Sequence, residues 1–170
     1  MPEVFLEKYP TTRIKIDVTE FTIAKPANPD VQSATWSSYK NRKTLKILVG
    51  CTPNGALSFL SDVYGGRVSD KELTRKSGLL EKLEPGDSIM ADRGFDIEDM
   101  LPEGITANVP AFLGGREQLE PGEVLTTRRI ATLRIHVERL TERIKNYRNT
   151  HFFPAMLCPL SADIIRVCAF

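Results

Sequence analysis

Apolar residues recur along the chain in two rhythms. Residues 13 to 23 (RIKIDVTEFTI) alternate and are rich in β-branched side chains, which predicts a strand. Two further apolar runs, TLKILVGCT and ALSFLSDVY, flank Pro53-Asn54-Gly55, and Asn-Gly between such runs predicts a hairpin. SIMAD, ending at Asp92, and residues 105 to 110 (ITANVP) predict two more short strands. The second rhythm is helical. Ser69 followed by Glu72 is a capping-box signature and predicts a helix to about Leu83, with Leu73, Leu79, Leu80 and Leu83 on its apolar side. From about Thr126 to Arg148, Ile130, Leu133, Val137, Leu140 and Ile144 recur at steps of three and four, which predicts a long helix with one buried stripe. Residues 24 to 43 and 111 to 125 read as loops from their polar, proline and glycine content, and Glu84-Pro85-Gly86-Asp87 as a turn. The tail from Phe152 is strongly apolar and lacks a polar stop, which reads as a truncated C-terminus.

Strands followed by helix, strand, strand and helix predict an α/β domain, and this order is that of the ribonuclease H-like fold, a mixed sheet flanked by helices. At 170 residues, with 41% hydrophobic and 26% charged residues, the chain is expected to form one domain over 1–170 with a real core. No apolar run approaches the roughly 20 residues a membrane helix needs, and the N-terminus lacks a signal peptide's apolar core, so an intracellular protein is expected. Cys51, Cys158 and Cys168 form an odd, scattered set without zinc-ligand spacing, which predicts reduced, buried thiols. The net charge of +1 would argue against a nucleic-acid partner if it were evenly spread. It is not: residues 62 to 103 hold eleven acidic and six basic side chains, and residues 128 to 148 hold seven basic and two acidic ones.

Three carboxylates stand out by position. Asp17 lies inside an apolar strand, where aspartate is disfavoured and expensive to bury without a partner. Asp92 ends a second strand, and Glu138 lies on the long helix. Each has a plainer reading: a solvent-facing strand position for Asp17, an Asx turn before Gly94 for Asp92, and ion pairing with Arg134 or Arg139 for Glu138. His136 is read as a packing or surface residue. Asp96 and Asp99 are read as turn or capping residues rather than as further ligands.

The segments IDVTE, SSYKNRKTLKILVGCTPNGALSFLSDVYGGRVSDKE, GDSIMADRGFDI and RIHVERLTERIKNY resemble, in order, the endonuclease domain of Harbinger-like and related insertion-sequence transposases of the DDE superfamily. The resemblance implies that Asp17 (in D-x-T-E), Asp92 (in A-D-R-G-F-D) and Glu138 (in V-E-R) are the catalytic carboxylates. It implies further that they hold divalent cations, two Mg²⁺ or Mn²⁺ ions, because hard cations prefer oxygen ligands and such a pair serves in-line displacement at phosphorus. Arg134, Glu138 and Lys145 match the last three positions of a Y-(2)-R-(3)-E-(6)-K signature, with Ala131 in place of its tyrosine. The implied activity is metal-dependent cleavage of DNA followed by strand transfer, and the implied compartment in a eukaryote is the nucleus.

DNA is the expected partner, with Lys40 (from the S-x-Y-K segment), Arg134, Arg139, Arg143 and Lys145 as candidate phosphate contacts. No recognition helix-turn-helix fits before residue 13, so a missing domain or a separate protein is expected to recognise the transposon ends, and oligomerisation fits such a reaction. The rival expectation is a domesticated, non-catalytic DNA- or protein-binding domain on the same fold.

Overall fold

A computed structural model describes residues 9–92, 94–110 and 121–170, and the backbone alone of residues 121, 123, 129 and 131–134. Its central strand is β1 (Thr12–Ile23), the alternating segment that carries Asp17. After α1 (Pro29–Ala34) and the two-residue β2 (Trp36–Ser37), β3 (Arg42–Cys51) returns antiparallel to β1, with Asp17 opposite Val49. The outer edge of β3 is covered in turn by β2, by β5 (Tyr64–Gly65) and by β4 (Leu57–Leu60).

On the other edge of β1, β6 (Ser88–Met90) pairs parallel at the beginning, and β7 (Thr106–Asn108) pairs parallel with β6. At the far end of that edge β8 (Phe152–Phe153) pairs parallel with Thr22 and Ile23. The result is a mixed eight-stranded sheet with an antiparallel arm β4–β3–β1 continued by parallel β6 and β7. Flanked by helices, this is the α/β ribonuclease H-like fold.

Side chains alternate across β1, so its two faces meet different surroundings. Ile14 and Ile16 pack with Leu48, Phe59, Ile89 and Ala91 beneath Leu73 of α2 (Asp70–Lys76) and Leu79. Phe21 and Ile23 pack on the opposite side with Ile47, Val49 and Cys51 beneath Val137, Leu140 and Ile144 of α3 (Pro121–Lys145). Burying each of those three helix residues stabilises the fold by roughly 1.5–3 kcal/mol. The chain then closes with α4 (Arg148–His151), β8 and α5 (Ser161–Ala169), whose Ile165 joins the same cluster.

Several expected boundaries move, each for a local reason. Residues 24 to 43 are not all loop: Asn28 caps α1 by accepting the Asp30 N–H at 2.8 Å with Pro29 following it, and the basic cluster enters the β2–β3 hairpin. The helix expected to reach Leu83 stops at Lys76, because Gly78 adopts φ +73°, and Leu80–Lys82 forms a separate 3-10 turn. The long helix begins at Pro121 rather than near Thr126, since proline suits a first helical turn, and ends at Lys145. Residues 111 to 120 of the expected loop lie outside the described residues. All three cysteines are free, but only Cys51 is buried; Cys158 and Cys168 are half-buried. Among the described residues no helix is long and apolar enough to cross a membrane.

Candidate active site

Asp17 is half-buried in the middle of β1. Its antiparallel neighbour Val49 belongs to the cluster under α3, as do Phe21 and Ile23 at even spacing along the same strand. The aspartate therefore belongs to the α3 side of the sheet. It also marks a fork. β6 pairs with β1 only as far as Lys15–Met90, and β8 only from Thr22, so among the described residues no strand pairs with this edge of β1 from 16 to 21.

Asp92 stands at that fork. The ladder between β1 and β6 ends at the pair Lys15–Met90, and Asp92 follows two residues past that end. Met90 packs against Ile130 of α3 while Ala91 packs in the opposite cluster. Ala91 still donates to Asn108, and the Asp92 carbonyl then accepts the Phe95 N–H at 3.0 Å, closing a turn. Helix α3 passes over this point, from Ile130 on β6 to Val137, Leu140 and Ile144 on β1 and β3. Glu138 follows Val137 and is exposed on the flank of the stripe.

The three carboxylates thus come from elements that converge on one side of one fork. Their side chains are not gathered: among the described residues no three His, Cys, Asp or Glu groups lie close enough to hold a metal ion. The donor chemistry of the three, carboxylate oxygen throughout, fits a hard dication. Other acidic candidates are engaged elsewhere. Asp96 and Asp99 are paired with Lys71 at 3.3 and 2.7 Å, Asp62 with Arg166 at 2.6 Å, and Asp87 accepts the Glu84 N–H at 3.0 Å.

Cations frame the carboxylates. Lys15, two residues before Asp17 on the same face, is fully buried and donates through Nζ to the Pro53 carbonyl at 3.2 Å. Burial holds its pKa below the ordinary lysine value, partly countered by Cys51, whose own thiol burial pushes up to about 11. Lys145 is half-buried at the other end of the fork, and burial together with Lys40 lowers its pKa, against the opposing pull of Asp17, Glu20 and Glu142. Below the sheet edge Lys46 joins Glu20 at 3.7 Å, Asp70 at 3.1 Å and the Val68 carbonyl at 3.0 Å, while Thr44 donates to Glu20 at 2.7 Å. That buried network ties β1, β3 and the start of α2 beside the site. Alternation of RIKIDVTE already places Lys15 on the face of Asp17; what it lacks is any sign that a lysine there would be enclosed.

The candidate DNA contacts separate into groups. Lys40, in the β2–β3 turn, and Lys145, on α3, come together and line the same two clefts. Arg139 is exposed on α3. Arg143 lines a different cleft, with Tyr147, Cys168 and Phe170. The side chain of Arg134 lies outside the described residues. His136 packs its ring beside Gly55 in the β3–β4 turn, where burial, Lys15 and Arg139 all lower its pKa. It serves as a packing residue between turn and helix.

Residues 16–170 match the family described as DDE superfamily endonuclease, and the chain belongs to that family. No curated protein and no solved structure matches the chain. Membership assigns it to the nuclease and transposase class, with DNA as the substrate that the family's activity implies.

Proposed function

We propose that this chain is the metal-dependent nuclease domain of a cut-and-paste DNA transposase, with Asp17, Asp92 and Glu138 as its catalytic carboxylates. The observation that carries the proposal is the half-buried Asp17 on the α3 face of the central strand, in the stretch of β1 that among the described residues neither β6 nor β8 pairs, with β6 ending two residues before Asp92 and Glu138 borne by α3 itself. Those three side chains would hold Mg²⁺ or Mn²⁺. When bound, such ions would supply a water activated at neutral pH and charge neutralisation on the leaving oxygen.

The chain's own contribution is positioning. β1 fixes Asp17 through its ladder with β3, and α3, which carries Glu138, is anchored on the sheet by Val137 and Leu140. Lys40 and Lys145 draw the phosphodiester backbone to the open edge of β1. The product would be a nicked transposon end with a 3′-hydroxyl, and the same site would then serve attack of that hydroxyl on target DNA. Recognition of the ends would lie in a further domain or a partner protein, in an assembly of more than one copy, in the nucleus of a eukaryotic host.

The test is nicking of supercoiled DNA by the purified chain with Mg²⁺ or Mn²⁺, alone and with the recognition partner. Asp17→Asn, Asp92→Asn and Glu138→Gln should each abolish the nick while leaving the fold intact. Unchanged nicking by one of these variants would remove that residue from the site. Tight DNA binding with no cleavage under either ion would instead establish a non-catalytic, domesticated domain.

A further inference from the structure

The turn between β2 and β3 holds an aromatic ring in solvent beside the clefts that Lys40 and Lys145 share. Tyr39 is 81% exposed. The turn that carries it is fixed: Ser37 Oγ accepts the Lys40 N–H at 3.2 Å, Arg42 Nε donates to the Lys40 carbonyl at 3.2 Å, and Asn41 adopts φ 51°. Lys40 Nζ stands 4.6 Å from the Tyr39 ring centroid. That cation–π contact takes one face of the ring and leaves the other for a second occupant.

Basic side chains outnumber acidic ones next to the ring: Lys40, Arg42, Lys46 and Lys145 against Glu20 and Asp70, both of which pair with Lys46. Clefts of about 360 and 450 Å³ meet at Glu20, Lys40 and Lys145; the first also takes in Arg42 and His151, and the second reaches Val18 and Thr19 beside Asp17. Glu20 is already engaged by Lys46 and Thr44, so Lys40, Arg42 and Lys145 face the opening with their charge largely unspent on it. A polyanion complements this surface. A cation-lined groove flanked by an exposed aromatic is the arrangement that holds single strands irrespective of sequence, because every base has a face to stack. A paired base in a duplex presents only its edges, so the ring selects an unpaired one.

We infer that Tyr39 is a stacking platform for the base of an unpaired DNA nucleotide, whose neighbouring phosphates lie against Lys40, Arg42 and Lys145 in the adjoining clefts. The inference rests on the nuclease reading and deepens it: the strand leaving the cleavage site is held locally melted, within a few residues of Asp17 along β1.

Binding is measured without divalent ions, in EDTA, so that it stands apart from cleavage. A short single-stranded oligonucleotide carrying 2-aminopurine should bind the full chain with quenched fluorescence. Tyr39→Ala should weaken this binding about tenfold or more and abolish the quench, whereas Tyr39→Trp should retain both. Binding of a blunt duplex should change little in either variant. Lys40→Ala and Arg42→Ala should weaken both ligands and each reduce the salt dependence by about one unit. Unchanged single-strand affinity and quench in Tyr39→Ala would overturn the inference, as would tighter binding of the same sequence as RNA, or an acidic peptide showing the same dependence on Tyr39. Loss of metal-dependent nicking with Tyr39-dependent binding intact would instead count against the nuclease reading alone.

Discussion

The two sides of the central strand differ in what they tolerate. Beneath α2 the first half of β1 makes apolar contacts, with Ile14 and Ile16 set against Leu48, Leu73, Ile89 and Ala91, and the charge farther along that face, Glu20, is matched by Lys46. Beneath α3 the same strand alternates Lys15, Asp17 and Thr19 before returning to Phe21 and Ile23. Taking a charge out of water costs several kcal/mol that its partners must offset, so apolar side chains would serve stability more simply than an enclosed Lys15 or a half-buried Asp17. One face supports the sheet. The other has given up apolar packing at three successive positions next to a stretch that no strand pairs among the described residues, which is where chemistry is to be sought.

Substitutions that act on one face and spare the other would break or sharpen this contrast. The largest effect is expected for Asp17→Asn, Asp92→Asn and Glu138→Gln, with nicking rates lower by roughly 10³-fold or more and urea midpoints near that of the parent. A loss of stability matching the loss of activity would make Asp17 structural. On the opposite face Leu73→Ala should destabilise the fold by about 2–5 kcal/mol, because Leu73 is fully buried, while activity per folded molecule stays unchanged.

Gly55→Ala is expected to be milder. Its φ is +88° and an added Cβ would lie 3.3 Å from His136 Nδ1, so a loss of about 1–2 kcal/mol should be accompanied by a small displacement of α3, read as reduced nicking at constant DNA affinity. The smallest effect at neutral pH concerns Cys51. Its folded pKa is raised from 9.0 to about 11, so the folded chain keeps the thiol proton that the unfolded chain loses. The contribution of Cys51 is therefore fully present below pH 9 and declines as pH rises from there toward 11. Comparing unfolding curves of the parent and Cys51→Ala across that interval isolates it. In the folded state a thiol reagent should label Cys158 and Cys168 and leave Cys51 untouched until unfolding.

Much of this arrangement was legible in the chain itself. The alternation of RIKIDVTEFTI fixes both the strand and the common side of Lys15, Asp17 and Thr19, and Asn54-Gly55 fixes the hairpin that returns beside it. The three/four spacing from Ile130 to Ile144 locates α3 and its buried stripe, with a start that proline and glycine at 121 and 122 disguised as loop. Other features have no local signature. Strands of two residues, such as β5 and β8, are too short to establish a period. A glycine within a helical pattern can be carried at a cost of about 1 kcal/mol, so only its backbone angle reveals that Gly78 ends α2. The enclosure of Lys15 depends on the Pro53 carbonyl, and the approach of Lys40 to Lys145 joins residues more than a hundred positions apart. Both are products of tertiary packing.

Among the described residues, the interval between β6 and β8 gives β1 the character of a comb with one row of teeth engaged by a neighbouring strand. From Ile16 to Phe21 every second peptide group is locked to β3, and the intervening groups direct their donors and acceptors toward the opening under α3. The backbone itself therefore contributes fixed dipoles beside Asp17 at no cost in side-chain ordering. Shortening the strand by one residue ahead of Asp17 would exchange the two rows, turning the carboxylate into the oily half of the molecule and an isoleucine toward the cations.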